Sequence, residues 1–335
     1  MKKIFFLLFL GGLFSCQKKS DKILFVRGEA QGSTYTIKYV WNNDENLKPA
    51  IDSILEVIDL SMSTYRPESI ISKINNGESP KVDSHFERVF LASQKIWQQS
   101  NGLFDPTVGV LVNAWGFGKN KTHNKLSDNQ IDSLKNFVGF EKVNLTEEKK
   151  IQKENPAISF DFNAIAQGYT VDVISNFLKN KGIHNFVVEV GGEIFLNGNN
   201  TVENKKWTIG IENPLNSLNK KNELVATVQF ENQGLATSGN YRKIWTDSIT
   251  GEKFVHSINP KTGKATQSNV LSATVITDLA MYADGYATMF MVMGFEQSKL
   301  FLEKHTNLNV LLVFNNTQNE PEIFMTEGFK KLLTK

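Results

Sequence analysis

Apolar and polar residues recur along the chain with spacings that predict individual helices and strands. Alternation at every second position predicts a strand over residues 33–40. Spacings of three and four residues predict helices over 47–58 and 86–98. The clearest helical pattern covers residues 163–181, and Gly182 follows it as a stop signal.

The second half of the chain contains shorter apolar runs. They predict strands over 186–190, 207–211, 224–230 and 310–314 and a helix over 278–293. Residues 147–156 and 197–206 are polar and predict surface loops. Because helices and strands neither alternate as βαβ units nor separate cleanly, the predicted fold class is α+β with mixed sheets and packed helices.

The amino terminus has the pattern of a bacterial lipoprotein signal. Two lysines precede an apolar run over residues 4–14, which is shorter than the roughly 20 residues that a membrane-spanning helix needs. Leu13, Phe14 and Ser15 then lead to Cys16, the only cysteine of the chain. A buried core cysteine is the alternative interpretation of Cys16. The prediction is a signal peptide over 1–15, a lipidated tether over 16–30 and one domain over 31–330.

Lipidation at Cys16 predicts where the protein resides. Two or three acyl chains hold a protein firmly on a membrane, so we expect it at the periplasmic face of a bacterial membrane. The sequence leaves open whether this is the inner or the outer membrane. A single cysteine also excludes an internal disulfide.

Composition narrows the functional classes. The chain has 37 basic and 35 acidic residues, and its lysines are scattered. It therefore lacks the basic stripe that nucleic-acid binding requires. About 320 residues remain after the signal, enough for one large domain or two fused lobes.

Residue types suited to chemistry are concentrated in five segments, namely 104–118, 161–169, 189–193, 236–241 with 256–263, and 283–288. Segment 161–169 lies at a predicted helix start, where backbone N–H groups and the helix dipole favour phosphate. Gly191 and Gly192 let a ligand approach the backbone, although they do not form the G-x-G-x-x-G pattern of dinucleotide-binding folds. Asp284 and Thr288 share one helix face and suit a hard cation such as Mg²⁺.

Each segment also has a purely structural interpretation. Asp105 can start a turn, Asp161 or Asn163 can cap a helix, and the paired glycines can close a hairpin. His256 can be a structural histidine, and Asp284 with Thr288 can form a solvated helix face. These alternatives stay open when each segment is considered alone.

Taken in order, the segments resemble the ApbE family, the FAD:protein FMN transferases. The resemblance runs from about residue 32 to about residue 294. Its most specific part is the F-D-P-T-V-G…W-G-F-G block at 104–118, and it begins with the G-S-T-Y strand and the S-T-Y…N stretch at 63–75. The D-F-N-A-I-A-Q-G-Y, G-G-E, T-S-G-N-Y, H-S-I-N-P-K-T-G and A-D-G-Y-A-T segments follow in family order.

The resemblance implies an FAD site in a cleft between two lobes, with roles for particular residues. Those expected to contact FAD are Gly32, Tyr65, Leu103, Phe104, Asp105, Asp161, Gln167 and Ile258. Those expected to hold Mg²⁺ are the carbonyls of Ala164 and Ala287 and the side chains of Asp284 and Thr288. His256 corresponds to the family's proposed base, and Asp284 is expected to be catalytic as a metal ligand.

The implied reaction is Mg²⁺-dependent transfer of FMN from FAD to a threonine of a partner redox protein, with release of AMP. The expected acceptor carries an Asp-x-x-Ser/Thr-Gly-Ala-Thr-like segment. Two alternatives remain, an FAD pyrophosphatase and a non-catalytic FAD-binding lipoprotein, whereas a nicotinamide oxidoreductase lacks the right glycine pattern. Gln167, Asn240 and Asn259 depart from the commonest family residues, which are Lys or Glu at the first and Asp at the other two.

Overall fold

The computed structural model describes residues 20–118, 125–216, 223–239, 244–246, 253–255, 257–266 and 268–334. The strands within these ranges are β1 (Lys22–Ala30), β2 (Ser33–Trp41), β3 (Val143–Leu145), β4 (Ile151–Lys153), β5 (Phe186–Val190), β6 (Glu193–Asn197), β7 (Ile209–Glu212), β8 (Leu224–Val228), β9 (Gln233–Gly239), β10 (Ile244–Thr246), β11 (Lys253–Val255), β12 (Val270–Thr277), β13 (Asn309–Asn315) and β14 (Pro321–Met325).

The helices of the same ranges are α1 (Lys48–Met62), α2 (Ile70–Asn75), α3 (Ser84–Gln99), α4 (Gly109–Ala114), α5 (Asp128–Lys135), α6 (Ala166–Asn180), α7 (Ala280–Met293), α8 (Phe295–Lys304) and α9 (Glu327–Lys330). The helices and strands predicted from spacing are all present, with ends that shift by a few residues. We find no helix among the described residues that is long and apolar enough to cross a membrane.

Eight strands form the main sheet in the order β1-β2-β5-β6-β9-β12-β13-β14. Every ladder between its neighbouring strands is antiparallel. The three further pairs, β3-β4, β7-β8 and β10-β11, are antiparallel as well. The α+β class is therefore confirmed, while the pairing is antiparallel throughout the described ladders where we expected mixed sheets.

Helices cover one face of the main sheet, and the β7-β8 pair covers part of the other. In β13, Val310 and Leu312 belong to the helix-side core, whereas Leu311 and Val313 belong to the core shared with β7 and β8. Successive side chains of a strand point to opposite faces. Strand β13 therefore needs an unbroken apolar run.

Helix α7 is apolar on almost every side because it is buried in the helix-side core. Ala283, Ala287, Met289 and Phe290 are all inaccessible to solvent. A helix that is hydrophobic all round is typical of such a position. Asp284 is the one carboxylate of this helix, and it is buried too.

Strand β1 corrects the predicted domain boundary. Residues 22–30, which we expected in the tether, pair with β2 along their whole length. Gln31 and Gly32 close the hairpin with φ angles of 53° and 72°, the positive values that a two-residue turn of this kind requires. Residues 22–30 therefore belong to the folded domain, which we expected to start at residue 31.

Candidate functional site

The site is centred on the place where the starts of α6 and α7 meet. Asp284 of α7 accepts a hydrogen bond from the backbone N–H of Gly168 in α6, at 3.1 Å. In return, Asp172 of α6 accepts hydrogen bonds from the N–H groups of Ala280 and Met281, both at 2.9 Å. Each helix thus supplies a carboxylate that caps the first turn of the other.

This reciprocal capping changes two expectations about α6. The helix begins at Ala166, three residues later than predicted, and its N-cap residue Ile165 makes no side-chain cap. Asp161 and Asn163 are not its caps, because Asp161 instead accepts from the N–H of Asn163 at 2.8 Å. Segment 161–169 is predicted to offer backbone N–H groups to phosphate, but a carboxylate from another helix occupies the N–H of Gly168.

Glycine at position 168 makes the close approach of the two helices possible. A Cβ atom there would lie 2.8 Å from Cβ of Asp284 and would overlap the carbonyl of Ala280. The sequence A-Q-G-Y therefore carries glycine for packing in the middle of a helical pattern. Gly285 serves α7 similarly, since Ile96 of α3 packs directly against it.

Burial raises the pKa of Asp284, and the like charge of Asp172 raises it further, whereas the Gly168 N–H lowers it. Asp172 was not among the predicted site residues. The sequence does contain an indication of it. Asp172 lies three residues after Tyr169, so it places a carboxylate on the face of α6 that the spacing predicts to be apolar. Burial also raises the pKa of Asp172.

Segment 104–106 is tied to the turn that precedes α6. The N–H of Asp161 donates to the carbonyl of Pro106 at 2.7 Å, and the N–H of Gly109 donates to the carbonyl of Ser159. The Phe104 ring packs near Gly285 of α7. Two of the five sequence segments are therefore joined to each other and to α7.

Both carboxylate oxygens of Asp105 accept hydrogen bonds from neighbouring residues. One carboxylate oxygen accepts from the N–H and the hydroxyl of Thr107, at 2.8 and 2.6 Å, and the other accepts from the N–H of Phe140 at 2.9 Å. Burial raises its pKa to about 6, against the lowering effect of these hydrogen bonds. Its side chain fixes the loop, and the half-buried Leu103 precedes it.

The paired glycines form a tight hairpin turn between β5 and β6. Gly191 and Gly192 have φ angles of 68° and 108°, and Val190 pairs with Glu193 across the turn. The side-chain amide of Gln167 lies against Gly191, where a Cβ atom would overlap it. The hairpin interpretation thus holds, and it places the turn directly beside the start of α6.

Thr288 lies one helical turn after Asp284 on α7. Its hydroxyl is 3.3 Å from the hydroxyl of Ser238 in β9, so segment 236–241 meets segment 283–288 here. Ala287 is fully buried, and Ala164 is partly buried in the turn before α6.

Tyr65 and the β1–β2 hairpin border the same region. Tyr65 is 50% exposed, and its pKa is raised by partial burial and by the charge of nearby Asp161. Gln31, next to Gly32, donates to the hydroxyl of Thr170 in α6 at 2.7 Å. An exposed aromatic ring close to a buried helix start suits a flat conjugated ligand.

Ile258 belongs to a separate small core formed with α4 and α5. Trp115 of the W-G-F-G segment donates its indole N–H to the carbonyl of Gly263 at 2.9 Å, which ties this loop to segment 104–118. The Asn259 side chain accepts from the N–H groups of Lys261 and Thr262. Because its amide oxygen accepts both bonds, the Asn259 departure leaves this turn intact.

Three predicted positions lie outside the described residues. They are Cys16, His256 and Asn240.

The oxygen donors around Asp284 fit a magnesium ion whose remaining ligands come from a phosphate group. Among the described residues no three His, Cys, Asp or Glu side chains form a metal cluster. Asp284 and Thr288 supply oxygen ligands, and Mg²⁺ is commonly held by one or two carboxylates together with substrate phosphates.

The fold and site define a class of α+β protein in which two mutually capped helix starts present a buried carboxylate and a hydroxyl beside an exposed tyrosine. The ApbE family model matches residues 31–312. The chain belongs to the ApbE family.

Individual relatives agree with this assignment. The chain is 33% identical to an FAD:protein FMN transferase of Haemophilus influenzae, over 96% of this chain and 94% of the relative. It is 32% identical to an FAD:protein FMN transferase of Vibrio cholerae, over 96% of each chain. It is similar to the flavin transferase ApbE structure from Vibrio cholerae, with a TM-score of 0.83 and 31% identity over 94% of this chain and all of the other. The apo flavinyl transferase from Pseudomonas stutzeri gives a TM-score of 0.82 at 28% identity, covering 93% of this chain and 97% of the other.

Proposed function

We propose that this chain is an FAD:protein FMN transferase, which moves the FMN part of FAD onto a threonine hydroxyl of a partner redox protein. The threonine oxygen forms a new bond to the FMN phosphorus. The phosphoanhydride bond of FAD breaks, AMP leaves, and a base takes the hydroxyl proton. The observation that carries the proposal is the α6–α7 crossing, in which Asp284 contacts segment 161–169 through Gly168 and Thr288 contacts segment 236–241 through Ser238.

The protein's own residues have distinct tasks in this proposal. Asp284 and Thr288, with the carbonyls of Ala164 and Ala287, would hold Mg²⁺. When bound, Mg²⁺ neutralises negative charge on the diphosphate and on departing AMP. Tyr65 offers its exposed ring to the isoalloxazine.

The remaining residues orient FAD and take the proton. Gly32, Leu103, Phe104, Asp105, Asp161, Gln167 and Ile258 line the path of FAD. His256 takes the threonine proton, because an imidazole titrates near neutral pH.

The acceptor and the location belong to the same proposal. The acceptor is a redox protein with an Asp-x-x-Ser/Thr-Gly-Ala-Thr-like segment, of which the full motif is absent from this chain. Diacylated Cys16 anchors the enzyme to a bacterial membrane at its periplasmic face. Family membership and Asp284 favour transfer over a carrier that binds FAD without reaction.

One experiment distinguishes transfer from hydrolysis and from storage. The protein is incubated with FAD and Mg²⁺, with an acceptor peptide or with the same peptide carrying alanine for its last threonine. AMP release and a gain of one FMN by the threonine peptide alone are expected. His256→Ala should lower turnover by about 10² to 10⁴, the usual contribution of a general base, and still bind FAD. AMP release without peptide modification would indicate a pyrophosphatase, and FAD binding without AMP would indicate a carrier.

A further inference from the structure

Asp172 is the buried carboxylate of the site that the proposed reaction does not use. It lies in the second turn of α6 and is 6% exposed. Each of its two oxygens accepts one backbone N–H from the first turn of α7, those of Ala280 and Met281. Both oxygens of Asp172 are therefore used by the backbone of α7.

Helix α7 depends on this contact because its own sequence provides no cap. Its N-cap residue, Leu279, makes no side-chain hydrogen bond to the helix, and no acidic residue lies in its first turn. Replacing a helix cap typically costs about 1 kcal/mol of stability. A carboxylate from another helix is here the acceptor for the first N–H groups of α7.

The same contact sets the position of Asp284. Residue 284 follows Ala280 by four positions, one turn along α7, and its carboxylate returns to Gly168 of α6. Gly168 in turn packs against the Ala280 carbonyl with no room for a side chain. Two carboxylates and one glycine thus fix the start of α7 on α6 at three points.

We propose that Asp172 is a positioning residue for the metal site, acting through the first turn of α7 to hold Asp284 in place for the cation. This inference rests on the proposed function, because it requires that Asp284 binds Mg²⁺. Groups that orient metal ligands typically change metal affinity 10- to 100-fold when they are replaced. Asp172 therefore determines how tightly the cation is bound, without contacting it.

The test is Asp172→Asn in the complete chain, with Mn²⁺ as the probe. Asparagine has the same shape, but its amide nitrogen is a donor and faces one of the two N–H groups of α7. With FAD present, we expect the Mn²⁺ dissociation constant measured by electron paramagnetic resonance to rise about 10-fold or more. The Mg²⁺ concentration for half-maximal AMP release should rise by the same factor, and turnover at saturating Mg²⁺ should approach that of the wild type.

A matched control separates positioning from general loss of stability. Thr326 caps α9, accepts from the N–H of Phe329 and lies next to β13, away from the α6–α7 crossing. Thr326→Ala should lower the melting temperature and leave Mn²⁺ affinity unchanged. An equal loss of Mn²⁺ affinity in both variants would overturn the inference.

Two further outcomes are decisive. If Asp172→Asn does not fold, Asp172→Ser, which has one acceptor oxygen and no charge, is measured in the same way and should also weaken Mn²⁺ binding. If the wild type is active and a folded Asp172 variant binds Mn²⁺ as tightly as the wild type, the inference about Asp172 is overturned and the proposed function is not. A wild type that releases no AMP with Mg²⁺ and acceptor would overturn the proposed function itself.

Discussion

Asp105 and Asp284 are both buried carboxylates, but they differ in how many hydrogen bonds they already accept and therefore in their ability to bind a cation. Asp105 accepts three hydrogen bonds from Thr107 and Phe140, which use both of its oxygens. Asp284 accepts one bond, from Gly168, through one oxygen. The first is suited to fixing a loop, and the second retains capacity for a cation.

This difference predicts how the metal site responds to mutation. Asp284 is the only charged ligand proposed, so Asp284→Ala should retain FAD and release little or no AMP with Mg²⁺ present. Thr288→Ala should be impaired less, and additional Mg²⁺ should partly restore it. AMP release and FAD fluorescence, followed against Mg²⁺ concentration, check both variants. Wild-type AMP release that persists in excess EDTA would contradict the metal assignment.

Asp105 predicts a pH dependence of stability. Its pKa in the folded protein is raised to about 6 from 3.8, so the folded state binds this proton more tightly than the unfolded state. The resulting stabilisation is present below pH 4 and disappears as the pH rises through 6. The free energy of unfolding of the wild type, minus that of Asp105→Asn, should therefore fall by about 2 to 3 kcal/mol from pH 4 to pH 7. Urea unfolding of both proteins measures this, and a pH-independent difference would refute it.

At the scale of elements, the close contact of α6 and α7 depends on glycine at position 168, which has no side chain. Alanine normally stabilises a helix relative to glycine by about 1 kcal/mol. At position 168 it meets the backbone of Ala280, which cannot move as a flexible side chain would. The overlap should outweigh the gain in helix propensity.

Gly168→Ala is therefore expected to lower the free energy of unfolding by about 1 to 3 kcal/mol, the usual penalty of overpacking. Asn176→Ala, on the exposed face of the same helix, is the matched control and should be neutral or slightly stabilising. Chemical denaturation of both variants is the measurement. A Gly168→Ala protein as stable as the control would show that the helices separate without penalty.

The sequence predicted most elements but not how they meet. Spacing identified α6 and α7 because burial on one or all sides imposes a local pattern. The cap of α6 could not be predicted, since Asp284 lies 116 residues from Gly168. Strand β1 was missed because residues 22–30 follow a polar tether and Gly28 weakens the strand pattern. The candidate residues came from family motifs, and long-range contacts alone showed that Asp172 joins them.

At the scale of the whole molecule, the corrected boundary bears on the predicted anchor. Strand β1 begins six residues after Cys16, and an extended chain of that length spans at most about 20 Å. A lipidated protein would therefore hold the main sheet close to the bilayer. Cys16→Ser should move the mature protein to the soluble periplasmic fraction, measured by fractionation and immunoblotting. A variant that stays in the membrane fraction would disprove lipidation at Cys16.

The two capping carboxylates also bear on the order of folding. They join residues 108 to 116 positions apart, and contacts of such long range form only after much of the chain has been ordered. A folding intermediate that lacks either helix start cannot present Asp284 with its neighbours. A ligand that needs this crossing binds the native state alone, and it should raise resistance to unfolding in proportion to the logarithm of its concentration. FAD with a divalent cation would thus act as a reporter of completed folding.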